Sequence, residues 1–475
     1  MRNLALTANT TDCVSATLSG MTLAQQVGQL FMMGVSSTAP TTTELKEITA
    51  GHLGGVVLMG HSTAGAGPTL QIADRLQAQA TGQSTAGVAL SIAVDQEGGL
   101  VQVLSGPGFS TIPSGLAQGS MGSADLRRSA TTWGHELLRA GVTLNLAPVL
   151  DTVPASLGAG NIPIGYYGRE YGYSPEVVTT HGTAFASGMA GAKVQATGKH
   201  FPGLGRVTAN TDTTFGVTDT VTTRNDAYLQ PFTAAILQGI PAIMVSLAKY
   251  NAIDGLRAVF SPTVLQGMLR DDMGFRGEII SDSMAATAVS DLTPASRALN
   301  FLTAGGTVVL DTNPSDIPPM LSAVLSKAQQ DSSFLAHVRA AANIVLEQKY
   351  RAGLVHCPTA YDPIVRQYQQ LGGGSSFLGR PTGVEYRIGG GRAQNYANGS
   401  IYWSYTTSAH EVNGGILHHY QALGGPAGLL GFPVTDETGT PGGRYNTFTG
   451  GSIYWSHATS AHEVNGGILH HYQAL

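Results

Sequence analysis

The chain has 475 residues, which at roughly 100 to 200 residues per domain predicts two or three domains. Charged residues are 12% and glycine takes 62 positions, where about 25% and ~7% are usual, so the surface is neutral and loop-rich. A net charge of −5 without a long basic run disfavours nucleic-acid binding, and no stretch approaches the ~18 apolar residues that span a bilayer.

Met1 to Asp12 lacks the apolar middle of a secretory signal, and as written the chain is soluble. Low charge and Ser/Thr/Gly-rich composition lean towards export, so the sequence is expected to begin after removal of such a signal. The two cysteines, Cys13 and Cys357, are too far apart for a short-spaced zinc site. They read either as two buried thiols or as one long-range disulfide.

From Gln29 to Asp311 a theme repeats: an apolar run, a polar or Gly-rich turn, then helical periodicity. Eight runs are predicted strands: Leu30–Val35, Gly55–Met59, Ala89–Val94, Val142–Ala147, Ala192–Ala196, Ala242–Ser246, Glu278–Ser281 and Thr307–Leu310. Between them lie predicted helices such as Ala124–Ala140, Pro175–Ala190 and Pro262–Met273, the last two with Pro in the first turn. Continuous apolar strands are buried on both faces, and eight β/α units point to an α/β fold of the (β/α)8 TIM-barrel type. A doubly wound sheet would usually bring five or six strands and a glycine-rich phosphate loop, and LGAGNIPIG follows no strand.

Active groups of such a barrel sit at the C-terminal ends of its strands. Those ends offer Asp95 in AVDQEGG, Asp151 in APVLD, Lys199 and His200 in ATGKHFPG, and Asp282 in IISDSM. Asp151 alone reads best as a cap or loop-bonding residue. The other four converge at a cost in burial that implies use. No Gly-x-Ser-x-Gly turn follows a strand, and His200 has no second His or Cys at ligand spacing. Carboxylates with a Lys-His pair and no cofactor motif suit a neutral, hydroxyl-rich carbohydrate substrate.

After Lys349 the sequence becomes Gly-, Tyr- and His-rich, and IYWSYTTSAHEVNGGILHHYQAL at Ile401 returns almost unchanged at Ile453, a period of 52 (453 − 401). The same offset relates LGRP at Leu378 to LGFP at Leu430, and the last copy stops at Leu475, where another loop of this type would begin. The expected organisation is an extension at 1–20, a barrel at 21–355, a linker at 356–363 and a repeat domain at 364–475. Tyr402, Trp403, Tyr454 and Trp455 offer aromatic faces for sugar rings or, alternatively, the core of a small repeat. The tail holds half of the chain's 14 His, including His418, His419, His470 and His471, which read as polar packing residues rather than metal ligands.

AVDQEGGLVQ, LNLAPVLD, IGYYGREYG, ATGKHFPGLG, FSPTVLQGMLRDDMGFRGEIISDSM and AGGTVVLD, in this order, resemble family 3 glycoside hydrolases, specifically the single-barrel bacterial β-N-acetylglucosaminidases that trim cell-wall fragments. The resemblance runs from about Met21 to Ala352. It implies that Asp282 is the nucleophile of a retaining exo-glycosidase and that Asp95, Arg169, Lys199 and His200 bind the terminal sugar. Where the family has an Asp-oriented His as acid/base, this chain reads Asn210-Thr211-Asp212, which makes Asp212 the candidate proton donor. Leu100 and Val103 stand where the family has arginines, and Leu247 where it has a strand-end His. These departures leave open another wall glycan, containing arabinose or glucose, or a non-catalytic wall-binding protein with a decayed barrel. The tail resembles LGFP repeats of exported proteins from bacteria with mycolate walls, which implies a secreted or wall-associated protein held to cell-wall polysaccharide. Because the two ends of a closed barrel lie close together, Cys13 and Cys357 are expected to pair.

Overall fold

The computed structural model describes residues 13–355, 362–383, 385–404 and 406–472. The chain divides into two compact units, 1–355 and 356–475. The linker expected at 356–363 lies mostly outside the described residues, and so does Cys357. Cys13 is buried at the start of a helix over 13–20.

Eight parallel strands form the first unit's sheet: β1 (Phe31–Ser36), β2 (Gly55–Met59), β3 (Ser91–Val94), β4 (Leu144–Asn145), β5 (Gln195–Phe201), β6 (Ala242–Val245), β7 (Glu278–Ser281) and β8 (Val309–Asp311). Neighbours follow chain order from β1 to β7, and β8 pairs with β1. A parallel bridge from Ile280 to Val308 and the Ser281 N–H bond to the Val308 carbonyl (3.0 Å) draw β7 and β8 together. The result is a nearly closed parallel barrel. Each predicted apolar run overlaps one of these strands, and β3, β6 and β7 are buried throughout, as sheets covered on both faces require.

A helical segment follows each strand. Ser123–Arg139 and Pro175–Gly191 match the predicted helices, the second opening with Pro175 behind the Ser174 cap. The third is helical as well, over Thr263–Asp272, but wound in the wider π manner, with the Met273 N–H reaching the Met268 carbonyl five residues back. The barrel floor is closed by Lys349, from the long helix Ser332–Arg351. Its ammonium donates to Gln29 Oε1 (2.8 Å) and to the carbonyls of Gly54 (2.6 Å) and Ala89 (2.9 Å), just before β1, β2 and β3. Burial lowers Lys349 to about 7 and raises Glu278, at the start of β7, to about 7.

The second unit repeats one module. Antiparallel sheets β9–β12 (Tyr386–Ile388, Gly391–Tyr396, Gly399–Ser404, Ser408–Asn413) and β13–β16 (Thr438–Thr440, Gly443–Phe448, Gly451–Ser456, Ser460–Asn465) keep the sequence period strand for strand. Tyr402 is 2% exposed and packs edge-on against Tyr420, so it is core and offers no face to a sugar. Trp403 is half-buried under the Arg392 guanidinium (4.4 Å), and Trp455 packs on the same core cluster as Tyr402. Two of the histidines are spent on carboxylates, His410 on Asp436 (3.1 Å) and His419 on Glu463 (2.5 Å). No helix among the described residues is long and apolar enough to cross a membrane.

Candidate active site

Beyond β3 the chain stays extended into a short hairpin, Gln96–Gly98 against Val101–Gln102. Alternation along an extended chain sends Asp95 and Glu97 to one side and Gln96 to the other. Gln96 exchanges two hydrogen bonds with the Leu104 backbone (2.8 and 3.0 Å). The turn needs its glycines: Gly98 has φ +110°, and a Cβ there would stand 2.2 Å from the Pro113 carbonyl oxygen.

Lys199, near the end of β5 and 2% exposed, donates to Asp95 Oδ1 and also contacts Glu97 Oε1, both at 2.6 Å. Arg169, on the loop after β4, grips Glu97 with two parallel bonds, Nε to Oε2 (2.9 Å) and Nη2 to Oε1 (2.7 Å), and donates to the Pro163 carbonyl. Burial by itself would raise the Glu97 carboxyl, but Arg169 and Lys199 outweigh it and hold it down at about 2. Burial would likewise lower Lys199, yet Asp95 and Glu97 keep it above its ordinary value. Glu97 is thus the hub of the charged floor. Reading strand ends alone missed it, although its position two residues after Asp95 in an extended run was a usable signal.

Asp151, fully buried, accepts from the His200 backbone N–H (3.2 Å), from His200 Nδ1 (2.8 Å) and from the Leu204 N–H (2.7 Å). The loop-bonding role read for Asp151 is present, and orientation of the imidazole is added to it.

The loop 203–214 carries Asp212 to Asp282. A Cβ on Gly205 would lie 1.8 Å from the Thr152 carbonyl oxygen, so the loop can lie this close only with glycine there. The Asn161 amide holds the Leu204 and Val207 carbonyls at 2.7 Å each. Past β7, the backbone N–H groups of Thr287 and Ala288 donate to the carbonyls of Asp212 (3.1 Å) and Thr211 (3.0 Å), so this loop is docked on the Asp282 loop. Burial first, and the neighbouring Asp282 charge second, raise the Asp212 carboxyl, partly opposed by His200 and Arg169. Asp282 accepts from the Ser283 N–H (2.8 Å). The Lys199 ammonium is bonded to Asp95 and Glu97, and His200 Nδ1 to Asp151.

Asp95, Arg169, Lys199, His200, Asp212 and Asp282 all line one cavity of about 600 Å3 at the C-terminal ends of the strands. His61, after β2, also lines it and was not anticipated. Leu100 and Val103 line it too, whereas Leu247 is buried. Among the described residues, no group of three or more His, Cys, Asp or Glu side chains is arranged to hold a metal ion. A raised carboxyl beside a second carboxyl, over a floor of fixed hydrogen-bonding charges, can protonate one atom of a ligand while the other acid attacks or stabilises.

Residues 22–347 match the glycosyl hydrolase family 3 N-terminal domain, and 378–428 and 430–475 match the LGFP repeat. A β-hexosaminidase of Xylella fastidiosa (strain 9a5c) is 30% identical over 315 residues, covering 64% of this chain and 90% of its own length. One of Stenotrophomonas maltophilia (strain K279a) is 31% identical over 316 residues, with the same coverage. Among solved structures, a β-N-acetylhexosaminidase from Beutenbergia cavernae is 47% identical, with a TM-score of 0.69 over 70% of this chain and 99% of that one. With that likeness extending over the whole barrel and the acids gathered at its mouth, the chain belongs to glycosyl hydrolase family 3 and is a β-N-acetylhexosaminidase-like glycoside hydrolase carrying LGFP repeats.

Proposed function

We propose that this barrel, read as a (β/α)8 TIM barrel, is a retaining exo-glycosidase that removes a terminal β-linked N-acetylglucosamine-type sugar from cell-wall glycan. The observation that carries it is the docking of the Asp212 loop on the Asp282 loop over one cavity, with the Asp212 carboxyl raised. Asp282 Oδ attacks the anomeric carbon as the bond to the leaving oxygen breaks, and Asp212 gives that oxygen its proton. Water then attacks the glycosyl-enzyme ester, its proton passing to the Asp212 carboxylate, and the sugar leaves with its configuration retained. Asp95, Arg169, Lys199 and His200 hold the sugar's hydroxyl and N-acetyl groups, with Glu97 and Asp151 as positioning residues behind them. The linker 356–363 and repeats 364–475 keep a secreted, wall-associated enzyme near an insoluble substrate.

The test is proton NMR of the first product from an aryl β-N-acetylglucosaminide, together with Asp282→Ala. The β-anomer should appear first, and the variant should fold but lose turnover. An α-anomer first, or more than a small fraction of activity in the variant, refutes the assignment.

A further inference from the structure

The cavity's floor is charged, but part of its outer wall is apolar. Met59, Leu100, Val101, Val103 and Tyr167 line it. Leu100 is 71% exposed, and Tyr166, whose ring meets Tyr167 edge-on at 5.0 Å between centroids, is 61% exposed. Leu100 does not sit on a loose loop. The hairpin bearing it is pinned by the Gly99 N–H to the Ile112 carbonyl (2.9 Å) and by Gln118 to the Glu97 carbonyl (2.8 Å). A stretch of apolar lining in a cavity that also holds fixed polar groups is the surface expected where part of a ligand is apolar.

The charges decide which ligand. Three carboxyl groups, Asp95, Asp212 and Asp282, line the cavity with two fixed cations, Arg169 and Lys199, and both cations are already bonded to the buried Glu97. The other basic groups lining the cavity are imidazoles, His200 tied to Asp151 and His61 on the loop after β2. Among the described residues lining the cavity, no fixed cation is left to receive an anionic substituent, whose charge would add to those of the lining carboxylates. With the sugar on the Lys199–Arg169 floor, the leaving group must extend towards the open side of the cavity, to which the 71%-exposed Leu100 belongs.

We infer that the enzyme selects its substrates by the leaving group, taking an uncharged aglycone with an apolar face and rejecting one that bears a carboxylate, with Leu100 and Val103 as the determinants. This rests on the glycosidase reading of Asp282 and Asp212.

The experiment compares pentyl and 4-carboxybutyl β-glycosides of N-acetylglucosamine, whose leaving oxygens are chemically alike, on the full chain and on Leu100→Arg/Val103→Arg. In the native enzyme kcat/KM should favour the pentyl glycoside by about tenfold or more, the size expected for one well-placed apolar contact. In the double variant that ratio should collapse or invert. A native ratio near one, or a variant that loses the same factor on both substrates, overturns the inference while leaving the glycosidase reading intact. Absence of turnover on these and on aryl glycosides of N-acetylglucosamine overturns the sugar assignment and this inference with it.

Discussion

Replacing Glu97 by Gln removes the charge that Arg169 and Lys199 share while keeping the side chain's size. The carboxyl's fall from 4.5 to about 2 corresponds to about 3 kcal/mol of native-state stabilisation at neutral pH, at ~1.4 kcal/mol per pH unit. Removing one partner from a buried ion cluster costs roughly 3–5 kcal/mol, so the two routes agree, and with the side chain only 6% exposed solvent screening takes little away. Because the folded value is depressed, this stability is fully present above the ordinary carboxyl range and is lost as pH falls through about 2. Glu97→Gln should therefore be less stable than the native chain by about 3 kcal/mol at pH 7 and by roughly 1 kcal/mol at pH 3. Equilibrium urea unfolding followed by helical circular dichroism reads this, since most helices belong to the barrel unit. A difference below about 1 kcal/mol at pH 7, or the same difference at both pH values, would refute the view of Glu97 as the ionised hub of the floor.

Asp212→Asn should abolish turnover of substrates with poor leaving groups and spare the first step with good ones. It should also remove the limb of the kcat/KM profile on which activity falls as pH rises through the raised Asp212 carboxyl, and uniform loss across leaving groups would point to another proton donor. Deleting Tyr361 to Leu475 should leave hydrolysis of a small aryl glycoside nearly unchanged while weakening sedimentation with isolated cell wall. Equal retention of the two forms would remove the targeting role. Cys13 and Cys357 should pair, so thiol titration of the denatured, non-reduced protein should find no free thiol, and two titratable thiols would refute the pairing.

The barrel was legible because its strands are continuous apolar runs closed by polar turns, a pattern that burial on both faces imposes. Strand ends named Asp95, Lys199, His200 and Asp282, and alignment of the KHFPG loop named Asp212, all of which line one cavity. Less legible was what each charge is spent on. Lys199 and His200 line the same cavity as Asp282, but which carboxylates they bond, Asp95, Glu97 and Asp151, is set by how the hairpin after β3 and the loop after β4 fold back. Tyr402 and Trp403 are adjacent in a strand, and only tertiary packing decides that the first is core and the second lies under Arg392. The wider winding of Thr263–Asp272 has no sequence signature, since a π-wound turn and an α-turn use the same side chains.

Lys349 bears on the order in which the molecule can be assembled. It seals the entrances of the first three strands, yet its partner Gln29 lies 320 positions away. A chain emerging from the ribosome carries those strands with their floor open until nearly the whole first unit has been made, and contacts of such separation close late and slowly. The repeats that follow can each fold from contacts within a module or with its neighbour as soon as it appears. Trimming the helix Ser332–Arg351 by its last turn would therefore remove the residue that completes the barrel, leaving its apolar strands open to aggregation during synthesis.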